Sequence, residues 1–284
     1  MATDGAELLG NGLVADYIPA LKHIPTSGQR KAKKLIKDFF NLIDNELQEH
    51  REQYKGGEPK DLVEMLFHAR QEIINEGTDD ISMVTETHIR QTVADIFSAG
   101  SDTTILTMHW SIGTLIEFPE VQEKVAEEVD RVVGRGRLPG ISDRDSLPYT
   151  VAALYEVMSS LYFIFGTGGY LIPKDTWVLV NLYSMHFDET LWDEPQKFNP
   201  QHFLDDSGEV RLHPEGFLPF STGRRVCLGE SVAKAELFLL FAWLFQHYRF
   251  SKAPGFENTN YAEGLGLATG NMPQDYPVVV EKRF

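Results

Sequence analysis

The sequence predicts a mainly α chain with small β-sheets. Three observations carry this. Apolar residues recur at helical spacing over long stretches, as in Leu35, Ile36, Phe39, Phe40, Ile43 and Leu47. A dense apolar run, Leu237 to Phe245, reads as a core helix. Strand-like segments are short and set between turn residues, as in Tyr170 to Asn181 around a Pro-Lys-Asp turn.

The 284 residues are 42% hydrophobic and 24% charged, an ordinary soluble-domain composition with room for one large core or two small ones. A net charge of −16 argues against nucleic acid as a partner and against broad attraction to anionic lipid. One cysteine excludes an internal disulfide framework and suits a reducing compartment. No run reaches the roughly eighteen apolar residues of a membrane span, and no signal peptide follows Met1, so a transmembrane anchor is not expected in this chain.

In chain order, Gly10 to Pro25 reads as loop plus a short helix. Thr26 or Ser27 caps a long amphipathic helix to about Tyr54. Its cluster Arg30, Lys31, Lys33, Lys34 and Lys37 reads as a solvated face, with membrane contact as the lesser alternative. Asp61 starts a second helix that stops at Gly77. Ser82 to about Phe118 is one long helix, carrying Ala99-Gly100-Ser101-Asp102-Thr103-Thr104 among apolar neighbours and expected to be buried. A Gly and an acid–hydroxyl pair inside a buried helix cost stability. Read locally, they form a kink whose hydroxyls bond back to the preceding turn. Pro119 opens the next helix, to Gly134, and Pro148 another, to about Met158. Leu161 to Gly169 reads as one short strand and a turn, and Met185 to Trp192 as a short helical turn. The apolar helix runs from Glu230 to about His247, and Gly264 to Gly270 forms a hairpin.

The lone cysteine, Cys227, lies in Phe220-Ser-Thr-Gly-Arg-Arg-Val-Cys-Leu-Gly-Glu230. Gly223 and Gly229 let the backbone fold tightly around it. Arg224 and Arg225 bring positive charge, and the following helix turns its positive dipole end toward it. All three favour thiolate over thiol, and a fixed, partly buried thiolate is a soft metal ligand. A single cysteine excludes a four-cysteine zinc site or iron–sulfur cluster. An axial thiolate on haem iron and a free nucleophile both stay open at this point. The histidines are scattered, and no His-Glu-x-x-His, Cys-x-x-Cys or Gly-x-Ser-x-Gly occurs.

Phe220-x-x-Gly223-x-Arg225-x-Cys227-x-Gly229, followed by Ala233, resembles the haem-binding signature of the cytochrome P-450 superfamily, with five residues fixed within ten positions. The resemblance covers nearly all of Gly10 to Phe284 and is greatest to animal microsomal members, the group of steroid and aryl-hydrocarbon monooxygenases. It implies the C-terminal portion of a single P-450 domain, a long central helix and the Cys-loop helix sandwiching haem b. It implies Cys227 as axial ligand, Phe220 beside the sulfur, and Arg225 on a haem propionate. Gly223, Gly229 and Ala233 shape the loop and the first turn of its helix. In the long helix it implies that Ala99 and Gly100 open a groove for O2. Thr103 then hydrogen-bonds the oxygen, and Asp102 relays protons. The activity implied is insertion of one oxygen atom from O2 into an apolar, steroid-like substrate. Electrons would come from NADPH through a flavoprotein reductase, with Arg224 and Lys234 as basic contacts. The location implied is the endoplasmic reticulum membrane. The membrane anchor and the early helices and strands of the family are expected to be missing.

The chain departs from the family pattern at one place. Where the superfamily carries Glu-x-x-Arg, this sequence has Glu156-Val157-Met158-Ser159, and the connection onward to Tyr170 is short. His202 stands where an arginine is usual in the following Phe198-Asn-Pro-Gln-His-Phe203 element, so Glu156 and His202 alone remain to pair. An unpaired buried Glu156 would be costly. Either the site has rearranged, or the chain is an inactive, truncated remnant that binds haem weakly or not at all; that is the alternative function.

Overall fold

In a computed structural model of the chain, residues 26–77, 84–159, 164–165, 180–211, 214–267 and 270–284 are described. The expected irregular start at Gly10 to Pro25, the Gly-Thr-Gly-Gly turn and the Tyr170 strand lie outside them. The described residues are mainly helical with three two-stranded antiparallel sheets, as the sequence predicts. The chain forms two compact units, Met1–Asp102 and Thr103–Phe284.

In the first unit, α1 (Ser27–Gln53) starts where local chemistry dictates. The Thr26 hydroxyl accepts the Gln29 N–H at 3.2 Å, and the Gln29 side-chain oxygen accepts the Thr26 N–H at 3.1 Å. This reciprocal pair satisfies two helix-end donors. The basic cluster from Arg30 to Lys37 is exposed. Ile43 and Leu47 face inward and pack with Ile89 and Ala94 of α3 (Glu86–Glu117), supported by Phe39, Phe40 and Phe67. Helix α2 (Leu62–Glu76) is capped by Asp61, which accepts the Glu64 N–H at 2.9 Å. It ends at Gly77 in the left-handed region, φ 64°, which glycine adopts without a Cβ penalty. Arg90 lies 4.1 Å over the Phe40 ring and bonds Asp44, once at 2.9 Å. Helix α3 (Glu86–Glu117) has no break at Gly100.

In the second unit, the end of α3 packs with α4 (Pro119–Val132), α5 (Pro148–Ser159) and α7 (Glu230–His247). Leu115, Val125, Val129, Leu147, Phe241 and Phe245 are fully buried there. Two buried polar side chains cross-link this core. Gln122 donates to Leu115 O and Phe250 O, and accepts the Phe250 N–H at 2.8 Å. Glu128 accepts the Thr150 N–H at 2.7 Å and the Tyr149 N–H at 3.2 Å, capping α5 from α4. Between α4 and α5 the expected loop is a 3-10 helix, Ile141–Ser146.

Strand β1 (Ile164–Phe165) pairs with β2 (Val180–Asn181). Helix α6 is Leu182–His186, earlier than the Met185 to Trp192 turn the sequence predicts. The reason is local. Leu182 and His186, at i,i+4, are its buried face, while the Asp188 carboxylate caps a separate turn through the Thr190 N–H at 2.8 Å. Strand β3 (Tyr248–Lys252) pairs with β6 (Val278–Lys282). The predicted hairpin is present as β4 (Gly264–Leu267) with β5 (Gly270–Pro273).

Gly113 shows how closely the C-terminal segment approaches α3. A Cβ there would lie 2.5 Å from Tyr261 O and 2.8 Å from the Tyr276 hydroxyl. Tyr276 donates to His109 O at 2.6 Å and stacks on Tyr261 at 4.4 Å. Gly113→Ala is therefore expected to destabilise the chain by ~1–3 kcal/mol through overpacking. Thermal unfolding followed by circular dichroism checks this; an unchanged midpoint would contradict the close approach.

Candidate functional site

The loop before α7 is held by its own backbone. The Ser221 N–H bonds Leu218 O at 3.0 Å, with Ser221 at φ 63° and Gly223 at φ 79°. Two left-handed residues so close together reverse the chain, and glycine carries that conformation at no steric cost. Gly223–Arg225 forms a single 3-10 turn closed by the Val226 N–H on Gly223 O at 3.2 Å. The Cys227 N–H then bonds Phe220 O at 3.0 Å, and the Ala233 N–H bonds Gly229 O at 2.8 Å as α7 begins. Cys227 is thus fixed at the N-terminal end of an 18-residue helix.

Cys227 is exposed rather than partly buried. Val226 and Leu228 on either side turn outward too, at 43% and 87% exposure. Gly229 contributes no side chain over the sulfur; a Cβ there would stand 3.9 Å from Sγ. Arg224, Arg225 and Gly229 are exposed, while Phe220 and Ala233 are half-buried. Among the described residues Arg225 forms no ion pair, so its guanidinium is available to a carboxylate. Lys234 differs from the expectation of a surface contact. It is half-buried, pairs with Glu230 at 2.6 Å, and lies over the Tyr155 and Phe220 rings at 5.9 and 5.5 Å. Its charge is engaged inside the second unit.

A cavity of about 1030 Å³ adjoins the loop, bounded by Tyr155, Phe217, Phe220, Val226, Leu228 and Lys234 among others. Cys227 and Arg225 are not in its wall, and Cys227 is exposed. Among the described residues, no three His, Cys, Asp or Glu side chains converge as metal ligands. A metal in this site would depend on one thiolate and a ligand that brings its own donors. Haem is such a group, and an exposed thiol, outward-turned apolar neighbours, an unpaired arginine and a missing Cβ beside the sulfur fit it.

The motif of α3 is placed differently from expectation. Ala99, Gly100, Asp102 and Thr103 are exposed, with Ile96, Phe97 and Ile105 exposed beside them. Among the described residues, the middle of α3 is an exposed apolar stretch rather than a buried one. Helical periodicity orients these residues to one face, but burial requires a neighbouring element. The back-bonding hydroxyls lie one turn further on: Thr107 donates to Thr103 O at 2.9 Å and Ser111 to Thr107 O at 2.8 Å. Within the second unit, Thr104 reaches Glu236 of α7 at 3.4 Å. This brings the start of that unit's α3 segment beside the helix that follows Cys227.

The Glu156 site has rearranged rather than left a bare charge. Glu156 is 4% exposed. Its carboxylate lies 3.1 Å from His202 Nδ1 through both oxygens and accepts the Asn199 N–H at 2.9 Å. His202 Nε2 bonds Asp193 O at 2.6 Å. With both ring nitrogens facing acceptors, His202 is held as the imidazolium, and the Glu156 hydrogen bond raises its pKa above the usual 6.5. Nearby, the Ser159 hydroxyl donates to Glu156 O at 2.8 Å. His186, which sequence reasoning left among the scattered histidines, spans from Ser159 O to the Leu218 N–H. The only signal for it was its i,i+4 spacing from Leu182.

A model of the cytochrome P450 family matches residues 6–277. Curated relatives include steroid 17-alpha-hydroxylase/17,20 lyase of Ictalurus punctatus, 35% identical over 95% of this chain and 55% of the relative. Cytochrome P450 2U1 of Mus musculus is 34% identical over 93% of this chain and 51% of the relative. Cytochrome P450 2D6 of Homo sapiens is 38% identical over 85% and 50%. The chain spans about half the length of these relatives.

Replacing His202 tests the buried pair. His202→Ala, which removes the cationic partner of the Glu156 carboxylate, is expected to cost ~3–5 kcal/mol in urea unfolding. Because His202's folded pKa is raised above 6.5, its stabilisation is complete below that value and is lost as pH rises through the folded value. Urea midpoints of the wild type should fall between about pH 6 and about pH 9, while His202→Arg stays flat across that interval. Equal slopes would contradict a titrating pair.

Proposed function

The chain belongs to the cytochrome P450 family, and on that premise we propose that it binds haem through Cys227 and serves a monooxygenase acting on apolar substrates. The observation that carries this is the Phe220–Gly229 loop, with five signature residues in ten positions and Cys227 tied by its N–H to Phe220 O at 3.0 Å. Haem, when bound, supplies the oxygen activation and the oxidation.

The protein's part is to hold, orient and deliver protons. Cys227 Sγ would hold the haem iron as a thiolate, from a loop whose backbone bonds fix its position. Arg225, exposed and without an ion pair among the described residues, suits a propionate because a guanidinium matches carboxylate geometry. Gly223 supplies the reversal, Gly229 leaves the sulfur unobstructed, and Phe220 and Ala233 seat the loop on α7. In α3, Ala99 and Gly100 leave an open face; an added Cβ at Gly100 meets nothing within 4 Å. The Thr103 hydroxyl holds a proton at that face, and the exposed Asp102 carboxylate passes protons from solvent. Electrons come from an NADPH-dependent flavoprotein reductase that meets the Cys227 side, with Arg224 as a basic contact. A steroid-like substrate is the finer reading, since one relative is named for steroid hydroxylation. The endoplasmic reticulum membrane is the location proposed; no described helix is long and apolar enough to cross it.

A non-catalytic product is the second reading, and Ser159 in place of the family arginine is what favours it. Haem titration separates the two. The chain should retain haem through gel filtration, and Cys227→Ala should lose it or change its Soret position; an unchanged spectrum in Cys227→Ala removes the ligand assignment. With reductase and a turned-over substrate, Thr103→Ala should keep haem but yield less product per NADPH, by about tenfold or more. Tight coupling in that variant would contradict the role of Thr103.

A further inference from the structure

We propose that His186 is a positioning residue for the Cys227 loop, a neutral imidazole that cross-links the C-terminal end of α5 to the segment leading into the loop. The hydrogen bonds settle its tautomer. The Leu218 N–H can only donate, so His186 Nε2 accepts, at 3.0 Å. Ser159 O can only accept, so Nδ1 carries the proton, at 2.9 Å. The ring is 4% exposed and lies 5.9 Å from the Phe217 ring. Leu218 O in turn accepts the Ser221 N–H, and Phe220 O accepts the Cys227 N–H, each at 3.0 Å. One side chain therefore joins the end of α5, where the family's arginine is replaced by Ser159, to the stem of the cysteine loop.

A second proton on His186 would remove the lone pair that Leu218 uses. Burial holds its pKa below the usual 6.5, which keeps the ring neutral at neutral pH. The sign follows: a base with a depressed folded pKa contributes its full stability above the unfolded value and loses it as pH falls below that value. Glu156 and His202 face His186 across a water-sized cavity of about 10 Å³ bordered by Ser159 and Trp192. Glu156 is already paired with His202, whose Nε2 bonds Asp193 O and whose own carbonyl accepts from Arg211. The lock is the inverse of the His202 pair, which weakens at high pH. It stands whether or not Cys227 takes haem.

Amide hydrogen exchange of the full chain tests this, with rates corrected for intrinsic pH dependence. Between about pH 7.5 and about pH 5, protection at Leu218 should fall by about tenfold or more while the Phe250 amide in the β3–β6 region keeps its protection. His186→Gln offers a donor and an acceptor without a titrating proton and should flatten that dependence. Constant protection at Leu218, loss at Phe250 in step with it, or the same pH dependence in His186→Gln would each overturn the proposal. If His186→Gln does not fold, the wild-type comparison of Leu218 with Phe250 decides alone.

Discussion

A buried carboxylate must be compensated, and Glu156 is the constraint around which the second unit is arranged. It sits at 4% exposure in α5, a helix whose residues from Thr150 to Met158 are all buried. Without partners that charge would oppose folding by several kcal/mol. The chain meets it with an imidazolium and a backbone N–H, both from the Asn199–His202 turn. The consequences spread by packing. Phe203, next to His202, is fully buried, 4.6 Å from Phe217 and 5.3 Å from Trp192. Phe217 precedes Leu218, the residue that His186 holds. A pair of charges far from the cysteine in sequence is thus continuous, through aromatic contacts, with the segment that leads to it.

The substitution of histidine for arginine changes the character of this anchor. An arginine pair is insensitive to pH across the physiological range, whereas a histidine pair depends on its own proton. The same neighbourhood holds a second histidine with the opposite requirement. His202 works as a cation and His186 as a neutral ring, and burial and hydrogen bonding shift the two pKa values apart.

Much of this was readable from residues alone, and what was missed has two causes. Thr26, Asp61 and Gly77 were legible because caps act over three or four residues. The bounds of α7 were legible because apolar composition changes sharply at Glu230 and His247. The Glu156–His202 pair was legible through the family pattern. Glu128 capping α5 across 22 residues, Gln122 bonding Phe250 across 128, and His186 bonding Leu218 across 32 left no local trace. The middle of α3 misled for a different reason: apolar residues there predict burial, yet Ile96, Phe97 and Ile105 remain exposed among the described residues. The exposed Cys227 is the same lesson, since flanking arginines and glycines describe a loop's chemistry and not what covers it.

The roles of Arg225, Gly229 and the α3 motif all follow from the sulfur of Cys227 as a haem ligand. The most direct measurement is the carbon monoxide difference spectrum of the reduced chain supplied with haem. Thiolate ligation predicts a strongly red-shifted Soret band. A band at the position of imidazole-ligated haem, or haem that washes away without any band, would contradict it.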